Sequence, residues 1–191
     1  MSAFKNIFPV PMLEHFVPER IADDVENLLV SRLDRIPRPT DDAPHSTDYF
    51  EPKKVIDLYT DVPELFSEIQ ECVNKFQEAC SIKHLPHTNQ YVWWTQDYQE
   101  GDIHKEHEHG MNKISGVYWV RANENAGGLS FRNPNPYVEY AHNEYSQYGY
   151  GKYEFQPMKG KLLLFPSYLK HQVEPSGKNV IRSTIAFNVV Y

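Results

Sequence analysis

From Gln90 onward the chain is a succession of short runs rich in β-branched and aromatic residues, each bounded by Gly, Pro or Asn. Residues 91–98, 113–120, 128–131, 160–165 and 182–191 all fit this description, a composition that suits the pleated, half-buried surface of a sheet. The first half of the chain has a different period. Residues 7–17 alternate apolar with small or polar groups, and Pro9 and Pro11 confine such a run to a sheet edge, because proline has no N–H for the ladder. Ile21, Val25, Leu28, Leu29 and Leu33 then recur at helical spacing after Pro18, and that helix must end before Pro37. A second helix is signalled from Asp61 or Pro63. Leu65, Phe66, Ile69, Cys72, Val73, Phe76 and Cys80 share one face, with Glu64, Glu68, Glu71 and Glu78 largely on the other.

Helices first and strands afterwards argue against alternating βαβ units and for an antiparallel sandwich or barrel faced by helices. The expected class is therefore mainly β (α+β), a jelly-roll core with the N-terminal helices packed on one sheet. A length of 191 residues suits one domain, with a helical and edge-strand part at 1–88 and the β-core at 89–191. Residues 37–52 hold four prolines and read as a surface loop in which His45 is solvated. His84 and His87, on either side of Pro86, read as loop or capping residues. The stretch 133–157 carries Tyr137, Tyr140, Tyr145, Tyr148, Tyr150 and Tyr153, and reads equally as a lid or as a hairpin.

A formal charge of −7 disfavours nucleic acid and anionic membrane as partners, since both need clustered Lys and Arg. A small molecule or another protein is expected instead. No apolar run reaches the roughly 18 residues of a membrane span, and the N-terminus lacks a signal-peptide core, so a soluble, cytoplasmic protein is expected. Cys72 and Cys80 lie two turns apart on one helix face, beyond the reach of a disulfide, and are expected as reduced, buried thiols.

The chemistry concentrates between Gly101 and Gly110. Three of the nine histidines, His104, His107 and His109, fall there within six residues, among Asp102, Glu106 and Glu108. Their spacings of three and two do not match the helical His-Glu-x-x-His arrangement, which needs imidazoles four apart. The chain also lacks Cys-x-x-Cys, a phosphate-cradling glycine loop and Gly-x-Ser-x-Gly, which removes structural zinc, nucleotide and hydrolase templates. In an extended segment His107 and His109 point one way and His104, Glu106 and Glu108 the other. A metal held by one of these sets needs a further ligand, and His142 and His171 are the histidines available downstream. His171 lies just beyond Pro166, after the apolar run 162–165. Arg182 opens the last strand with Thr184 on the same face. A guanidinium there suits a carboxylate, with an ordinary bridge to Glu174 as the alternative.

Taken together, Gly101-Asp-x-His-x-x-His-x-His, Ile114-Ser-Gly-Val-Tyr-Trp, Gly160-Lys-Leu-Leu-Leu-Phe-Pro-Ser-x-Leu-x-His-x-Val and Arg182-x-Thr-Ile-Ala-Phe-Asn resemble the Fe(II)/2-oxoglutarate-dependent oxygenase superfamily. The likeness is greatest to its small, mostly uncharacterised members in bacteria and phages. The opening Ile7-Phe-Pro-x-Pro is similar to that branch as well. The resemblance implies a double-stranded β-helix with iron at its open mouth, held by a His-x-Asp/Glu pair and a distal His. It also implies 2-oxoglutarate chelating the metal, with its far carboxylate on an Arg or Lys near a Ser or Thr. Carried over, His107 is the first ligand, His171 the distal one, and Arg182 with Thr184 the co-substrate anchor. Tyr91 and Trp119 are further candidates for the co-substrate pocket.

This chain departs from the general pattern at 109, where His replaces the carboxylate. The nearer branch also shows His-x-His, so His107, His109 and His171 are the expected metal ligands. A neutral imidazole there leaves the centre one charge more positive and should weaken metal binding relative to a carboxylate site. The register His104-x-Glu106 competes, because it keeps His-x-Glu. The implied activity is a dioxygenase using Fe(II), 2-oxoglutarate and O2 to hydroxylate a small-molecule or peptidyl substrate with release of succinate and CO2. A cupin-like Zn or Mn jelly roll acting as a binding module stands as the alternative.

Overall fold

A computed structural model describes residues 9–40, 43–82, 89–138 and 150–190. His84, His87, His142, Tyr140, Tyr145 and Tyr148, and the expectations attached to them, lie outside these residues. The described elements are β1 (Leu13–Phe16), α1 (Glu19–Val30), β2 (Ser46–Thr47), α2 (Pro63–Ala79), β3 (Gln90–Asp97), β4 (His104–His107), β5 (Ile114–Ala122), β6 (Leu129–Arg132), β7 (Lys152–Phe155), β8 (Lys161–Pro166), β9 (His171–Val173) and β10 (Arg182–Val190), with a 3-10 turn at Leu33–Arg35.

The strands form two antiparallel sheets. The larger has the order β1, β8, β5, β10, β3, β2, and the smaller β4, β9, β6, β7. Period-2 alternation in the large sheet creates two cores. Tyr91, Ile114, Tyr118, Leu162, Leu164, Ile185 and Phe187 face the helices, while Trp94, Val117, Trp119, Leu163, Phe165 and Ala186 face the small sheet and meet Leu129, Phe131 and Val173. This is the expected jelly roll with helices on one sheet.

Each helix begins where proline permits. Pro18 caps α1 and Pro63 opens α2. Helix α1 buries Ile21, Ala22, Val25 and Leu29, and α2 buries Leu65, Ile69, Cys72, Val73, Phe76 and Gln77. Leu29 is fully enclosed. Truncating it to Ala would cost about 2–5 kcal/mol through lost transfer energy and the cavity left behind. Cys72 is a buried free thiol, pushed up to about 11 by burial, and Cys80, at the end of α2, is also free but only partly enclosed.

Two expectations need correction. The 37–52 segment is not simply a surface loop, because Ser46 and Thr47 pair with Asp97 and Gln96 as strand β2. His45 beside them is 2% exposed rather than solvated. Strands β6 and β7 flank the described ends of the Tyr-rich stretch and pair with Leu129 opposite Phe155 and Arg132 opposite Lys152, hairpin arms in line with one of its two readings. Among the described residues no helix is long and apolar enough to cross a membrane.

Candidate active site

The turn out of β3 sets up the histidine segment. Gly101 sits at φ +79°, a conformation glycine reaches without strain, and its N–H donates to Ser176 O at 2.9 Å. Asp102 tightens the turn by accepting from Gln99 N at 2.7 Å. Strand β4 then runs against β9 with His104 opposite Val173 and His107 opposite His171. Three steps on one strand thus match two on the other, a bulge that turns His104 to the same side as His107. Alternation alone places His104 on the outer face with Glu106 and Glu108, and the bulge overrides it. Glu106 does face outward, where it accepts from Arg132 Nε at 2.6 Å, so the His104-x-Glu106 pair is split across the strand.

His107, His109 and His171 offer ligand nitrogens that all lie within 4.8 Å of one another. Carbonyl groups orient two of the rings. His107 Nδ1 donates to Lys105 O at 2.7 Å and His171 Nδ1 to Leu169 O at 2.8 Å, leaving each Nε2 lone pair free. His109 is fixed through its backbone, which donates to Ser167 O at 2.9 Å. The turn between β8 and β9 therefore serves two of the three rings. It is tied to the sheet by Ser115, whose hydroxyl meets Ser167 Oγ at 2.8 Å and Asn188 Oδ1 at 2.7 Å.

Burial holds all of these imidazoles neutral. It lowers His107, brings His109 down to about 4 and His171 to about 3, with the neighbouring imidazoles adding to the last two. Neutral imidazoles at physiological pH are the form that binds a metal.

The same cavity is lined by Arg182, 1% exposed. Its guanidinium carbon sits 4.0 Å from the centre of the Tyr98 ring, and its Nε and Nη1 have no hydrogen-bond partner among the described residues. The Tyr98 hydroxyl, also buried, has no partner of hydrogen-bond geometry either. The alternative bridge to Glu174 is absent, since that carboxylate pairs with Lys152. A buried cation with open donors is costly until an anion arrives. The neutral histidine triad and this cationic end therefore fit a divalent iron and a chelating dicarboxylate such as 2-oxoglutarate.

The remaining expected anchors lie elsewhere. Thr184 is on the Arg182 face as expected, but its hydroxyl donates to Gln96 Oε1 at 3.1 Å. Gln96 Nε2 in turn donates to His45 Nε2 at 2.9 Å, and His45 Nδ1 to Ile103 O at 3.3 Å. Thr184 thus supports Gln96 and, through it, the His45 ring stacked on Tyr98 with centroids 4.8 Å apart. Trp119 is fully buried in the inner core opposite Thr184, off the cavity wall. Tyr91 packs on Phe66 and Phe187 on the helix side of the sheet and does not reach the cavity. Sequence reasoning missed Tyr98, His45, Gln96 and the inward turn of His104. For Tyr98 the signal was there, because alternation from Trp94 through Gln96 puts Tyr98 on the inner face and Tyr91 on the outer.

Residues 92–188 match the model of a family described as "Putative 2OG-Fe(II) oxygenase". No curated protein matches the sequence. Among solved structures, the fold is similar to a Pseudomonas putida prolyl-4-hydroxylase at 14% identity, covering 95% of this chain and 92% of that one with a TM-score of 0.66. It is also similar to SnoN, the non-haem α-ketoglutarate-dependent epimerase of nogalamycin biosynthesis, at 8% identity, 95% and 77% coverage and a TM-score of 0.64. A Trichoplax adhaerens prolyl hydroxylase in complex with a hypoxia inducible factor peptide follows at 15% identity, 94% and 82% coverage and a TM-score of 0.60. The family match spans just over half of the sequence and contains every residue of the histidine triad and Arg182, so the chain belongs to the 2OG-Fe(II) oxygenases, enzymes that use Fe(II), 2-oxoglutarate and O2.

Proposed function

We propose that this oxygenase is a hydroxylase in which His107, His109 and His171 hold the iron and Arg182 receives the far carboxylate of 2-oxoglutarate. The observation that carries the reading is the buried guanidinium whose Nε and Nη1 have no partner among the described residues, in a cavity that the triad also lines. When bound, iron, 2-oxoglutarate and O2 supply an oxidising centre that puts one oxygen atom into a substrate C–H bond and the other into succinate as CO2 leaves. The chain's own part is placement. Lys105 and Leu169 carbonyls aim two imidazoles, and Ser167 fixes the third through its backbone. Tyr98 lies under the guanidinium, and its hydroxyl is a second donor for the same carboxylate. The inner cavity is lined by Leu129, Phe165, Val173 and Ala186, which exclude water around the bound dicarboxylate.

The epimerase among the structural relatives shows that this fold also hosts outcomes other than hydroxylation. Product analysis therefore decides the reaction type. Anaerobic addition of Fe(II) and 2-oxoglutarate should produce the weak visible charge-transfer band of the chelate, and admission of O2 should release succinate. With substrate present, the product should gain one oxygen atom. A folded, metal-loaded protein that gives neither band nor succinate would sink the reading. Tightly held zinc in such a protein would favour a non-oxygenase metal module.

A further inference from the structure

Two cavities share the histidine segment. The inner one holds the Arg182 cation, whereas the outer one, about 280 Å3, is walled by Tyr49, Phe50, Trp94, Ala43 and Thr47 and opens to solvent. Resting on the active-site reading above, we propose that this outer ledge is the substrate subsite, and that it takes an uncharged, apolar side chain presented by a polypeptide rather than a free amino acid.

The rim of the ledge is aromatic, exposed and rigid at once. Tyr49 and Phe50 are 49% and 69% exposed, although they stack edge to face on each other and Tyr49 does the same on Trp94, with centroids 5.0 Å apart in both pairs. A surface turn with two large rings outward exposes apolar area that the fold itself does not use. The turn is nevertheless fixed. The Asp48 carboxylate accepts from Val55 N and Thr95 N, each at 2.6 Å, and Tyr49 N donates to Thr47 Oγ1 at 3.1 Å. Lys54 donates to the carbonyls of Asp48, Tyr49 and Glu51 at 2.9, 3.1 and 2.9 Å, which occupies all three of its ammonium hydrogens. The Asp48 carboxylate and the Lys54 ammonium are therefore both engaged in holding the turn.

No Asp, Glu, Lys or Arg is among the described residues lining this cavity. A free amino acid would bring an ammonium and a carboxylate against rings, neutral imidazoles and an amide, with no charged group among the described lining residues to pair them, an unfavourable desolvation. A side chain inside a polypeptide carries neither charge. His107 and His109 close the inner end of the ledge, so a group seated there abuts the metal ligands.

Zn(II)-loaded protein with 2-oxoglutarate tests this by ligand-observed NMR, using the N-acetyl N-methylamides of leucine, proline and phenylalanine against the free amino acids. At least one blocked form should bind about tenfold or more tightly than its zwitterion, and Tyr49→Ala with Phe50→Ala should weaken that binding by about tenfold, the loss of two aromatic contacts. Equal binding of the zwitterions, no binding of any blocked probe, or unchanged binding by the double variant would overturn the proposal. The Fe(II)–2-oxoglutarate chelate band is measured separately. The double variant keeps it if the ledge acts on substrate alone, and its loss in the variant counts against the proposal. Absence of the band in the unaltered protein instead sinks the oxygenase reading and leaves the binding comparison to decide the ledge.

Discussion

His104 lies face to face with His107, ring centroids 4.0 Å apart and planes 18° from parallel. It is not part of the triad whose ligand atoms converge, and its Nδ1 is 3.5 Å from Gln96 Nε2. Its place is behind a ligand, where it limits the rotation of the His107 ring that the Lys105 carbonyl begins to fix. His104→Ala should therefore keep one metal equivalent but lower its affinity by about 10- to 100-fold, the usual effect of removing a ligand's support. His107→Ala should lose the site. Calorimetric titration with Zn(II) or Co(II) separates the two outcomes, and equal loss in both variants would make His104 itself a ligand.

Arg182 gives a prediction with opposite signs in two measurements. In the free protein its charge is buried with Nε and Nη1 unpartnered, so replacement by Met removes an uncompensated cation and should leave thermal stability unchanged or higher. In the complex the same replacement removes a charge-assisted contact of up to about 3 kcal/mol, a rise of about 100-fold in KM for 2-oxoglutarate. The unaltered protein should gain Tm on adding 2-oxoglutarate with metal, and Arg182→Met should not. Arg182→Lys keeps the charge without the planar fork, so it should lose less affinity for 2-oxoglutarate than Met and bring none of the gain in stability.

What could be read from the sequence follows the range of the forces involved. Strands β3, β5, β8 and β10 announce themselves because each is long and its composition follows from burial on both faces. Strands β4, β7 and β9 have three or four residues, several of them polar, and exist only through partners distant in sequence, such as His107 with His171. Periodicity carries no trace of that pairing. The bulge is invisible for the same reason, so His104 reads as outward. His45 is surrounded by proline and acid, and its burial depends on β2 pairing with β3, more than forty residues away. The inward place of Tyr98 and the outward place of Tyr91 are of a different kind, since the face each occupies follows from alternation already visible around Trp94.

Gly116 tests the register between β5 and β10. It sits opposite Phe187, and a Cβ added there would meet the Phe187 ring at 2.2 Å. Phe187 is fully buried and cannot yield without opening the core. Gly116→Ala should destabilise the protein by about 1–3 kcal/mol, the cost of overpacking, and Phe187→Leu should recover part of that loss in the double variant. A shift in the denaturation midpoint at constant m would show this. Full additivity of the two substitutions would contradict the contact.

Acid should destabilise the metal-free protein over a defined window. Burial lowers His45 and His109 to about 4, His171 to about 3 and His104 to about 2, from an ordinary 6.5. An imidazole with a depressed value stays neutral in the fold and takes up its proton on unfolding, so the unfolded chain binds more protons and stability rises with pH. The stabilisation is complete above about 6.5 and falls as pH drops toward 4, on the order of 1 kcal/mol per pH unit for each group. Metal at the triad excludes protons from those nitrogens, so Zn(II) should move the onset of acid unfolding to lower pH, by more in the unaltered protein than in His171→Ala. Melting curves from pH 7.5 to 4.5, with and without Zn(II), check both the sign and the shift. A metal-free protein whose Tm stays flat through this window would show that these imidazoles are hydrated rather than buried.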